Sequence, residues 1–151
     1  LRSLVGSEMC IRDRGYLTSM IGLDKRWLEP YGIDPDTAFV ALIPYSGQVV
    51  THFERRRELG LPDTQPLVDD MAPLSYVRPD CRPMLILSGD REREMLGRYE
   101  ENAYFWRMMR VAGHPDVRIC EFDGFDHGNM PQAGHFVAVR YIREMERRMD
   151  R

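Results

Sequence analysis

Two hydrophobic patterns alternate along the chain: short continuous apolar runs, and stripes with apolar residues three or four apart. Residues 39–44 (FVALIP) and 84–88 (MLILS) are continuous runs of the kind expected from strands covered on both faces, and Val117–Phe122 (VRICEF) reads as a third strand. Between them, residues 92–112 carry Leu96, Tyr99, Ala103, Trp106 and Met109 at helical spacing, closed by Gly113 and Pro115 as a helix end is. Residues 133–149 place Val137, Tyr141, Met145 and Met149 four apart, with charged residues opposite, which predicts a final amphipathic helix. Residues 15–23 (GYLTSMIGL) are apolar and small and read as a buried helix. Pro30, Gly32 and Pro35 make 29–37 a set of turns, and 48–82 reads as a helical excursion with irregular loops. Strand, helix and strand within about 40 residues form a βαβ unit, so the sheet is expected to be parallel.

Composition narrows the function classes. The 151 residues allow one domain, and 43% hydrophobic with 30% charged residues is a globular balance. The net charge of −3 and a pI near 5.8 argue against a general nucleic-acid binder. No apolar run approaches the roughly 20 residues that cross a bilayer, so no membrane partner is expected. Cys10, Cys81 and Cys120 have no C-x-x-C spacing and suggest neither a zinc site nor a disulfide framework.

Residues 1–14 stand apart. The stretch LVGSEMCIRDR resembles a translated sequencing adapter, and the segment lacks the apolar core of a signal peptide. It is therefore expected to be non-native, with 15–151 as the folded portion and no functional role for Met9 or Cys10. The competing reading is an ordinary polar N-terminal arm.

Ligands of open parallel sheets bind beyond the C-terminal strand ends. Two loops leave such ends with reactive side chains: 88–92 (SGDRE) and 123–130 (DGFDHGNM). A carboxylate in one and His127 in the other could form an orienter–base pair, in which the carboxylate fixes the imidazole tautomer and stabilises its cation. The plainer reading is that Asp90 caps the next helix and His127 is a surface loop residue. His52, His114 and His135 have less favourable settings. The ERRRE run at 54–58 reads as a solvated helix face, and the aromatic and methionine stripe of 95–109 as core.

The segments PMLILSGDRE (83–92), GRYEENAYFWRMMRVAGH (97–114) and FDGFDHGNM (122–130) resemble the α/β-hydrolase fold, and within it the esterase- and lipase-like enzymes. The resemblance covers about residues 15–149. It implies an α/β fold, here the C-terminal part of the parallel sheet with about three strands flanked by helices. It further implies a serine-dependent hydrolase of small-molecule carboxylic esters with no metal or organic cofactor. His127 matches the general base. Glu92 matches the acid, at a G-x-x-D type position after Gly89, and Asp90 is the second choice. GYLTSM resembles the stretch that follows the nucleophile elbow. The departure is the nucleophile itself. No serine stands in G-x-S-x-G, and Ser19, Ser46 and Ser88 all lack the glycine two residues before. The resemblance thus implies a chain that lacks its nucleophile, is inactive alone, and has the N-terminal half of its own domain as its partner. The rival expectations are a non-catalytic α/β binding or structural module, and a peptidase or sugar-ester deacetylase of the same fold.

Overall fold

The computed structural model describes residues 7–95 and 97–149, with the helical backbone alone for 7–13. Met84–Gly89 (β1) and Val117–Phe122 (β2) pair in parallel, with Met84 opposite Val117 and Gly89 opposite Phe122. The helix Arg98–Val111 connects them, completing the βαβ unit read from the sequence. Numbered in chain order, the helices are Ser7–Leu23 (α1), Pro35–Ala38 (α2), Phe53–Glu58 (α3), Arg98–Val111 (α4) and Met130–Met149 (α5), with three short 3-10 turns among them.

Every residue of β1 is buried, and its alternation sorts two cores. Met84 and Ile86 pack with Leu23, Leu42, Phe105 and Met109, on the side of α1 and α4. Leu85 and Leu87 pack with Met130, Ala138, Tyr141 and Met145, on the side of α5. The result is a small parallel sheet between helical layers.

The third strand is not formed as expected. Residues 39–45 run beside β1 but make only two isolated parallel bridges among the described residues, Leu42 to Met84 and Tyr45 to Leu87. The hydrogen bonds show why. Leu42 N–H donates to Pro83, Leu42 C=O accepts from Leu85, Pro44 C=O accepts from Leu87, and Ser46 N–H donates to Leu87. The missing rung is the one Pro44 would donate, and proline has no N–H.

Two helix starts also differ from the pattern. Helix α4 begins at Arg98 rather than 92, after Gly97 at φ +71°. Before it, Asp90 holds the chain in turns, its carbonyl accepting from the N–H groups of Arg93 and Glu94. The buried positions of α4 are Arg98, Asn102, Phe105 and Met109, so two polar residues occupy the inner face while Tyr99, Ala103 and Trp106 are half-buried. Leu96 lies outside the described residues. Helix α5 starts three residues earlier than expected, where Asp126 Oδ1 accepts from Gly128 and Asn129 and its carbonyl from Met130. In α5 Val137 is half-buried and Met149 exposed, so the inner stripe is Ala138, Tyr141 and Met145. Helix α1 is continuous through residues 14 and 15.

Candidate active site

The loop after β1 and the loop after β2 meet at the same end of the sheet, because parallel neighbours end together. Asp90 N–H donates to the Phe125 carbonyl and Gly124 N–H donates to Asp90 Oδ2, which ties one loop to the other. Across this seam His127 Nδ1 lies 2.9 Å from Glu94 Oε2. The Glu94 side chain is fully buried and that of His127 is 11% exposed.

Neither carboxyl expected for this role stands beside the ring. Glu92 is exposed, and its N–H donates to Asp90 Oδ1. Asp90 accepts from Glu92 and Gly124 and serves as the structural brace between the loops; these backbone bonds hold its carboxyl below the usual range. The turn that Asp90 nucleates carries the chain two residues beyond Glu92 before a carboxyl points inward. A helical period running from residue 92 hides Glu94, whereas the chain turns here and the helix begins at Arg98.

Four donors surround the Glu94 carboxylate. Gly89 N–H and Ser46 Oγ reach Oε1, at 3.1 and 2.5 Å. Met95 N–H and His127 Nδ1 reach Oε2, at 3.0 and 2.9 Å. Burial alone would raise its pKa, but hydrogen bonds from His127 and Ser46 outweigh burial and hold it down at about 2. Glu94 is therefore an anion at neutral pH. With Nδ1 donating to that anion, His127 presents Nε2 as an acceptor, the tautomer a general base needs. Nε2 is buried and has no hydrogen-bond partner among the described residues.

Ser46, Glu94 and His127 thus come together in the chain order serine, acid, histidine. The geometry nevertheless assigns Ser46 to the acid side. Its hydroxyl is bonded to Glu94 and lies 3.2 Å from Nδ1, the same nitrogen that the acid occupies. A nucleophile must approach the other nitrogen, Nε2. Ser19 donates to the Gly15 carbonyl within α1, and Ser88 is buried in β1.

The remaining histidines have other tasks. His52 Nδ1 accepts from Glu54 N–H at the start of α3, His114 is buried against the Cys81 carbonyl, and His135 bonds the Tyr45 hydroxyl. Arg56 departs from the solvated-face reading of 54–58. It is buried and donates to the carbonyls of Asp63 and Gln65, clamping the following loop. Among the described residues no group of three His, Cys, Asp or Glu side chains is placed to hold a metal ion. Nor is any described helix long and apolar enough to cross a membrane.

Neither a family model nor a curated protein matches the sequence. Solved structures do. The apo form of esterase 2 from Thermogutta terrifontis matches with a TM-score of 0.60 over 87% of this chain and 52% of that chain, at 19% identity. The same esterase phosphoramylated by tabun gives 0.61 over 87% and 51%, also at 19% identity. Its propionate-bound form gives 0.52 over 70% and 42%, at 20% identity. The chain has part of the α/β-hydrolase fold. It spans about half the length of the esterases it matches. Within the part of the fold that the chain spans, Glu94 follows β1 and His127 follows β2.

Proposed function

We propose that this chain carries the acid and the base of a serine hydrolase of carboxylic esters, with Glu94 as acid and His127 as base. The observation that carries the reading is the Glu94–His127 pair, in which a buried anion holds Nδ1 and leaves Nε2 buried and free to accept a proton. The nucleophilic serine would be supplied from upstream of Gly15, with residues 1–14 as the non-native segment. Packing supports that direction. Gly15 lies against the backbone of Gly47, the neighbour of Ser46, and a Cβ on Gly47 would sit 2.5 Å from the Gly15 carbonyl carbon. The part of α1 at Gly15 therefore lies beside the segment that carries Ser46, and native chain preceding it would reach the acid–base pair.

In this reading, the serine oxygen attacks the ester carbonyl carbon while His127 Nε2 accepts its proton. Glu94 stabilises the imidazolium. His127 then returns the proton to the departing alkoxide, leaving an acyl-enzyme. Water, deprotonated by the same Nε2, attacks the acyl carbon; the acyl–serine bond breaks as Nε2 returns that proton to the serine oxygen, and the carboxylic acid leaves. The substrate class follows the likeness to esterase structures, one of them propionate-bound. In the full-length gene product, His127→Ala is expected to lower short-chain nitrophenyl ester hydrolysis by at least about 10⁴-fold. Activity retained by that variant contradicts the assignment.

One observation favours a second reading, that of a non-catalytic α/β module: no serine of the sequence stands in G-x-S-x-G. It predicts no labelling of the full-length product by a serine-directed phosphonate.

A further inference from the structure

Ser46 is left without a task in the scheme above, yet its environment is tightly constrained. It is the one non-glycine residue at positive φ among those described, at +42°, and it is 1% exposed. Side chains in that region cost free energy and persist where the surroundings over-determine them. Here α4 supplies the constraint. Arg98 donates to the Ser46 carbonyl at 2.7 Å, Asn102 to the Gly47 carbonyl at 2.9 Å, and Glu101 accepts from Val49 N–H at 3.2 Å. Ser46 N–H is bonded to Leu87 of β1. The two buried polar residues of α4 thus grip the turn whose hydroxyl meets the acid.

We infer that Ser46 is the positioning residue of the acid: its hydroxyl fixes Glu94 Oε1 so that Oε2 faces His127 Nδ1. The inference rests on the reading of Glu94 and His127 as acid and base. Of the four donors to the carboxylate, Gly89 and Met95 are backbone groups and His127 is the group being oriented. Ser46 is the only other side chain among the described residues. It approaches from the segment beside β1 that leads toward α3, and its hydroxyl lies 3.2 Å from His127 Nδ1, at the edge where carboxyl and ring meet. Without it, Glu94 Oε1 keeps one backbone donor and the carboxyl can swing away from the ring.

The test uses the full-length product with glutamate labelled by ¹³C at the carboxyl, as wild type, Ser46→Gly and Ser46→Ala. Glycine adopts positive φ without strain, so Ser46→Gly removes the hydroxyl while favouring the backbone. The Glu94 titration midpoint is expected to rise from about 2 by about one pH unit in both variants, the value of one lost charge-assisted hydrogen bond. Thermal stability of Ser46→Gly is expected to stay near wild type, relief of the positive φ offsetting the lost hydrogen bond, and kcat to fall about tenfold with KM unchanged. An unmoved Glu94 midpoint in Ser46→Gly overturns the inference and leaves Ser46 a backbone role only. The titration needs no substrate, so it decides Ser46 even where a failed phosphonate labelling rejects the hydrolase reading. Conversely, a labelled serine with an unmoved midpoint rejects Ser46 alone.

Discussion

At the scale of single residues, the site is governed by where one carboxylate keeps its charge. Glu94 is buried, which favours the neutral acid, but four hydrogen bonds favour the anion and prevail. Its folded pKa of about 2 lies below its ordinary value of 4.5. A depressed carboxyl contributes stability that is fully present above pH 4.5 and is lost as pH falls toward 2. Glu94→Gln is therefore expected to flatten the loss of stability between pH 4.5 and 2, measured by chemical denaturation across that range. An unchanged pH profile would show that the pair is not charged in the fold. The same variant keeps the shape of the side chain but mispositions the imidazole tautomer. It should slow ester hydrolysis by the full-length product by about 10³–10⁴-fold. His127 was legible in the sequence because glycines flank it in a loop after a strand. Glu94 was not, since its place depends on the turn nucleated by Asp90 and on Gly97 at φ +71°, which together delay α4 by six residues.

At the scale of elements, close approach between α1 and the segment beside β1 sets the geometry. Gly15 and Gly47 touch backbone to backbone, and a Cβ on either would overlap the other. Gly47→Ala should therefore destabilise the chain by about 1–3 kcal/mol, seen as a lower denaturation midpoint, and should loosen Ser46 at the same time. A stability change within experimental error would mean that α1 does not pack there. The βαβ unit was legible because continuous apolar runs and a helical stripe differ in period. The inner face of α4 was not. Arg98 and Asn102 are polar, and periodicity assigns polar residues outward, whereas here they satisfy the carbonyls of a buried turn. Likewise an apolar run predicts a strand at 39–44, but one proline removes a rung and leaves two bridges.

At the scale of the whole molecule, both edges of the sheet are open among the described residues, the outer side of β2 and the segment beside β1, and the second is the more apolar. Leu42, Pro44 and Ser46 turn their backbone groups toward β1, so Ala41, Ile43 and Tyr45 direct theirs the other way. Those residues are half-buried, and their backbone N–H and C=O groups make no backbone hydrogen bond among the described residues. Unpaired edges with apolar side chains template association. The 151-residue chain by itself is expected to elute as multimers in size-exclusion chromatography; a sharp monomer peak with a cooperative melt would contradict this. The likeness to esterase structures over about half their length, together with a buried Glu94–His127 pair whose Nε2 has no hydrogen-bond partner among the described residues, leads to one measurement of the proposed acid and base. The full-length product is treated with a serine-directed phosphonate, as wild type and as His127→Ala, and the modified peptide is located by mass spectrometry. The account predicts one labelled serine upstream of Gly15, with labelling lost in the variant. No labelled serine, or labelling unaffected by His127→Ala, would contradict it.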